Sequence, residues 1–172
     1  MKTKISVLLV LFIFIGTTLF AQEKSKKQLK AERAIEKQQK TEAMINAKEF
    51  VFIGRTAIPT GFKTMDLTTN TNYVKFHPDL IESYMPFFGK AYSGIGYGGD
   101  NGLKFTGKPE DYTFVKGKKN YQINANVKGI NDIFKLSLSV GFEGSATLSI
   151  ICNNRSPISY NGEISAPEKS KE

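Results

Sequence analysis

The sequence predicts an α+β fold: an N-terminal helix followed by one large, twisted antiparallel meander sheet that can curl into a half-barrel. Three observations predict it. Residues 22–48 are rich in Lys, Glu, Gln and Ala and hold no Pro or Gly, a composition of strong helix formers. Further along, apolar and polar residues alternate with period two, as in strands with one face in a core and one in water. The links between the later strands are short and turn-rich, which makes successive strands neighbours.

The chain opens with Met1-Lys2-Thr3-Lys4, runs apolar from Ile5 to Phe20 and leaves through Ala21-Gln22. A cationic start, an apolar stretch and a small residue at the exit read as a signal peptide over residues 1–21. Export to the periplasm or cell envelope, with cleavage near Ala21, is therefore expected. Leu19 stands where a small residue is preferred, but the run is at the short edge of the roughly 20 residues a membrane anchor needs. The single cysteine, Cys152, is far from the exit, so lipoprotein anchoring is not expected.

Cleavage leaves about 150 residues, enough for one domain that buries its core without a metal or disulfide. Cys152 follows an apolar run and is expected as a small core residue. The net charge of +8 is partly concentrated in Lys24, Lys26, Lys27, Lys30, Arg33, Lys37 and Lys40. An exported chain does not point to nucleic acid. The basic cluster points either to a peripheral contact with an anionic envelope surface or to a solvated helix face.

Residues 22–48 form the charged helical segment. Glu23/Lys27 and Glu36/Lys40 are favourable pairs one turn apart, whereas Arg33/Lys37 repel. The apolar stripe of Ala31, Ala34, Ile35 and Ile45 is thin, which fits a loosely docked helix or a solvated spacer. Gln22 to Lys27 are expected to be unstructured.

Residues 49–165 form the β domain. Phe50, Phe52 and Gly54 alternate with Val51, Ile53 and Arg55, and Pro59-Thr60-Gly61 ends that strand. Asn70-Thr71-Asn72 is a turn before a strand over 73–77. Pro78 then predicts one or two helical turns through Tyr84, with Asp79 and Glu82 at the positive end of that helix. Met85 to Gly89 and a glycine-rich stretch from Ser93 to Gly102 follow. The clearest later strands carry Tyr121/Ile123/Ala125/Val127, Phe134/Leu136/Leu138/Val140, Ala146/Leu148/Ile150 and Ile158/Tyr160/Ile164. Turns are expected at 117–120, 129–132, 141–144 and 153–156. Residues 166–172 form a disordered tail.

The chemistry-bearing groups are few. His77 is the only histidine, so no multi-histidine metal site is expected. His77-Pro78-Asp79 reads as a helix entrance more readily than as a general base. Asp79 and Glu82 would share a helical face, a spacing suited to helix-start charges rather than to glycosidase chemistry. The Gly94 to Gly102 stretch lacks the Gly-Lys-Ser/Thr ending of a phosphate loop. Its tyrosines Tyr92 and Tyr97 are the binding candidates there. Phe87 and Phe88 divide between core and surface, with Phe88 a candidate anchor. Arg155, in a turn between two apolar strands, either locks that turn or binds an acidic group. No cofactor is expected.

Several blocks carry a resemblance. They are Phe50-Val51-Phe52, Ala57-Ile58-Pro59, Tyr84-Met85-Pro86-Phe87-Phe88-Gly89-Lys90-Ala91-Tyr92, Gly102-Leu103-Lys104-Phe105, Asp111-Tyr112, Gly144 to Thr147 and Asn154 to Gly162. Over residues 49 to 164 the chain resembles the family called domain of unknown function 4251. The resemblance implies an exported protein of Bacteroidetes. Many members look like lipoproteins, and this chain departs from those by lacking the lipidation cysteine. No catalytic residues come with it.

The expected function is an exported, non-enzymatic envelope module that binds a protein, glycan or lipid through its sheet or glycine-rich loop. Two alternatives stand beside it. One is a hydrolase using His77 with Asp79, Glu82 or Asp111. The other is a structural or assembly protein tethered by its basic helix.

Overall fold

The structure is a computed structural model and describes residues 26–92, 102–130 and 132–167. The predicted signal peptide, Tyr97 and residues 168–172 lie outside the described residues. The chain divides into two units, Met1–Ala34 and Ile35–Glu172. What is described of the first is helical and almost wholly exposed. The helix that crosses the division, α1, spans Lys26–Ala47. Lys26 and Lys27 belong to it, contrary to the expectation of an unstructured start. Straight-chain residues keep their rotamer freedom in a helix, so propensity carries the segment further than packing requires.

The second unit is a ten-stranded antiparallel sheet that is nearly closed and barrel-like. Its strands are β1 (Phe50–Pro59), β2 (Met65–Asp66), β3 (Tyr73–Phe76), β4 (Ile81–Met85), β5 (Leu103–Gly107), β6 (Pro109–Lys116), β7 (Asn120–Lys128), β8 (Ile133–Gly141), β9 (Ser145–Cys152) and β10 (Arg155–Ser165). The order across the sheet is β5-β4-β3-β1-β10-β9-β8-β7-β6, with β2 beside β1. The strand pairs β6 through β10 are the expected meander. β1 closes onto β10 and so joins the N-terminal strands to the C-terminal ones.

The core follows the period of two. Phe50, Phe52, Tyr121, Ile123, Val127, Leu138, Val140, Leu148, Ile158 and Tyr160 are buried. Phe50 stacks on Phe76 with centroids 4.5 Å apart. A bulge lies in β1 between Gly54 and Thr56 opposite Gly162. A side chain at Gly162 would collide with the Ile53 carbonyl, so the backbones approach there only because the residue is glycine. The buried Asn72 fixes the other side of the bulge. Its Oδ1 accepts from Gly54 N at 2.7 Å, and its Nδ2 donates to Gly54 O at 3.1 Å.

One expected element is corrected. Residues 78–84 are not helical: a turn at His77–Leu80 leads straight into β4, which pairs with β3. Ile81, Ser83 and Met85 face inward and Tyr84 outward, a period of two. A helical turn would have brought Ile81 and Met85 to one face as well, so spacing did not separate the readings. Pairing with β3 decided between them. Asp79 and Glu82 therefore share no helical face. Cys152 is also corrected. It is half-buried at the end of β9 and packs against the core rather than within it.

Candidate functional site

The barrel has two ends and a seam. At one end Ile45 of α1 inserts into the core beside Tyr121 and Phe142. At the other end the turns β7–β8 and β9–β10 meet the segment Pro86–Tyr92. Among the described strands the sheet order ends at β5 and β6, and the seam lies there. It is narrow near Gly107, where a side chain would strike the Lys128 carbonyl at 2.8 Å. Beyond it Lys104, Phe105 and Thr106 of β5 line a cleft of about 550 Å³.

Glu82, Tyr84, Lys104 and Thr106 form one wall of the cleft, and Ile130, Asp132, Asn154 and Arg155 form the other. Phe105 and Phe134 stack 4.1 Å apart beneath it. Ile130 is 100% exposed. A smaller cleft of about 280 Å³ shares Tyr84 and Lys104 and adds Phe87 and Gly102.

The charges of the larger cleft are engaged in holding the fold. Asp132 caps the next turn: Oδ1 accepts from Ile133 N at 2.8 Å and Asn153 N at 3.1 Å, and Oδ2 from Asn154 N at 2.9 Å. Burial works to raise its carboxyl, but the bonds from Asn154, Asn153 and Ile133 outweigh that, and it is held below the usual carboxylate range. Cys152 beside it is pushed up, first by burial and then by the Asp132 charge. Arg155 donates from Nη1 to Gly102 O at 2.7 Å and lies over the Phe87 ring at 5.2 Å. It ties the β9–β10 turn to the start of β5, the locking role weighed from sequence. Glu82 accepts from the Tyr73 hydroxyl at 2.8 Å and from Lys75 at 3.4 Å. Lys104 sits 3.9 Å above the Tyr84 ring, which stacks on Tyr73.

The predicted site residues therefore divide. Arg155 lines the cleft. Tyr92 is 68% exposed and its N–H donates to Asn154 O at 2.8 Å, at the same end of the barrel. Phe88 is half-buried against the core. Tyr97 lies outside the described residues. His77 sits in the β3–β4 turn and lines neither cleft; of the carboxylates once paired with it, only Glu82 reaches the larger one. No group of three His, Cys, Asp or Glu among the described residues could hold a metal. Sequence reasoning missed Tyr84, Lys104, Asp132 and Ile130. The alternation Ile81-Glu82-Ser83-Tyr84-Met85 was the available signal for Tyr84. Nothing local marked Asp132, whose partners at Asn153 and Asn154 are 21 and 22 positions away.

The fold and site define a small near-closed antiparallel barrel with Ile45 of α1 in its core and a cleft beside β5 among the described residues. The sequence model described as Domain of unknown function (DUF4251) matches residues 32–164, and the chain belongs to that family. The match begins within α1, earlier than the resemblance read from motifs. The structure is similar to the crystal structure of a DUF4251 family protein from Bacteroides eggerthii DSM 20697. The TM-score is 0.60 at 20% identity, covering 79% of this chain and 91% of that one. At that identity the likeness concerns the fold alone. No curated protein matches the chain.

Proposed function

We propose that this protein is an exported, non-enzymatic envelope module that binds an extended segment of another envelope protein along β5. One observation carries the reading. Among the described strands β5 stands at one end of the sheet order, and its Lys104, Phe105 and Thr106 line the cleft of about 550 Å³. The outer strand of a sheet offers alternating N–H and C=O groups that a peptide strand can match. Ile130, Tyr84 and the Phe105–Phe134 stack give such a strand apolar contacts, while the cleft's charges are already engaged. The cationic and apolar N-terminus supports export. The exposed Lys26, Lys27, Lys30, Arg33, Lys37 and Lys40 support a peripheral contact with an anionic envelope surface.

The test is native mass spectrometry of the protein purified from its own envelope, followed by hydrogen exchange on any complex. A mass starting at Gln22 is expected, with slowed exchange of the 103–107 amides in the complex. Exchange at β5 that is unchanged by a bound partner overturns the edge reading. A mass that includes residues 1–21 overturns the cleavage.

A further inference from the structure

The outer face of β7 to β10 presents two rows that only the strand registers reveal. Gln122, Ser139, Thr147 and Asn161 are successive cross-strand partners. Asn124, Ser137, Ser149 and Ser159 form the row beside them. All eight are exposed or half-buried. None of the eight is ionisable, in a chain whose residues are 23% charged, so the two rows are neutral by composition; the charges of this face, Lys128, Lys135 and Glu163, stand in the rows to either side of them. Val115 continues the first row and Ile58 lies beyond Ser159 in the second; they are 60% and 40% exposed.

The rows are held in place. Gln122 Nε2 donates to Ser137 Oγ, and Ser137 Oγ donates to Asn124 Oδ1, each at 2.9 Å. Thr147 Oγ1 donates to Asn161 Oδ1 at 3.0 Å. These bonds fix the side chains and leave capacity unspent. A primary amide carries two donors and two acceptor lone pairs, and a hydroxyl carries a donor and two. Short side chains already ordered lose little further entropy when a ligand arrives.

The chemistry narrows the partner. Protein interfaces are enriched in aromatic residues and depleted in Ser, and these rows hold five serines or threonines and no aromatic. Nucleic acid and anionic lipid call for Lys and Arg, which both rows lack. A neutral chain dense in hydroxyls matches the rows in polarity and charge, and Val115 and Ile58 can meet its C–H faces. We propose that this face binds an uncharged polysaccharide strand. The inference stands apart from the β5 edge, since it uses none of the cleft residues.

The test is affinity electrophoresis of the chain from Gln22 onward in gels containing a neutral β-glucan, a mannan or dextran, with anionic alginate as control. Retardation by at least one neutral polymer is expected, and it should persist at high salt, whereas any retardation by alginate through the basic helix should be screened away. The double variant Asn124→Ala/Asn161→Ala, at an unchanged melting temperature, should lose at least tenfold in affinity. If that variant unfolds, Thr147→Lys at its exposed position serves instead and should give the same loss. No retardation in any neutral gel overturns the proposal, as does equal binding to the neutral polymer by the folded variant.

Discussion

The two ends of the barrel are closed by different physics. At the helix end the closure is apolar: Ile45 is 1% exposed and Tyr121 0%, and the Tyr121 ring meets Phe142 at 5.1 Å. Polar contacts decorate its rim, with Glu42 receiving Lys116 Nζ at 2.7 Å and the Tyr121 hydroxyl at 3.0 Å. At the turn end the closure is made by hydrogen bonds to backbone. Asp132 holds the β9–β10 turn, Arg155 holds Gly102, Ser156 holds Lys90, and the Tyr160 hydroxyl donates to Pro86 O at 2.6 Å. The difference teaches where a ligand has room. Apolar closure fills space, whereas a hydrogen-bonded rim can fix turns around an open cleft.

The largest expected effect tests the apolar closure. Ile45→Ala should destabilise the protein by about 3 kcal/mol, because it removes buried methylenes and leaves a cavity. Urea unfolding checks this, and a loss under about 1 kcal/mol would mean that α1 is only loosely docked.

Next comes the polar closure. Asp132→Ala frees three backbone donors at a partly solvated turn and should destabilise by roughly 1–2 kcal/mol. The pH dependence has a definite sign. The folded carboxyl of Asp132 lies below its ordinary value, so the unfolded chain binds its proton first as pH falls. The contribution is complete above about pH 5 and is lost on acidification through the folded value. The slope of stability against pH below about 4 should therefore be steeper in wild type than in Asp132→Ala. Equal slopes would remove Asp132 from the account.

A third variant reverses the sign. The Tyr112 hydroxyl is buried without a hydrogen-bond partner among the described residues, and burial pushes its phenol up to about 12. Lys48 lies over its ring at 4.6 Å. Tyr112→Phe should be neutral or stabilising by on the order of 1 kcal/mol, since it removes an unsatisfied group. Clear destabilisation in the same urea assay would show that the hydroxyl is satisfied in solution.

The smallest effect belongs to the rim of the helix end. The Lys116 bond first, and the Tyr121 bond second, lower Glu42 from its ordinary value. The pair is solvated, so Glu42→Gln should leave the unfolding midpoint nearly unchanged at neutral pH. A shift as large as that of Ile45→Ala would mean that the ion pair, rather than the buried isoleucine, seats the helix.

The meander was legible because its information is local. Tyr121 to Val127 and Phe134 to Val140 alternate without a break, and each turn carries its own Gly or Asn. The β4 segment was not legible in the same way. Pro78 and Asp79 are as good at opening a helix as at making a turn, and five residues are too few for period to arbitrate. The site was legible in part. Arg155 stood out as a charge between apolar strands, but Asp132 looked like any turn aspartate, because its role depends on chain more than twenty positions away.

By itself the sequence determined a helix within residues 22–48, the alternating strands, their turns and hence an antiparallel sheet. Each of these rests on propensity, periodicity or turn chemistry acting over a few residues. Only the tertiary structure decided that β1 joins β10, that β5 ends the described sheet order beside a cleft, and that eight uncharged side chains align across β7 to β10. Those depend on register between distant strands. Register is set by the packing of one shared core, which no short window of sequence contains.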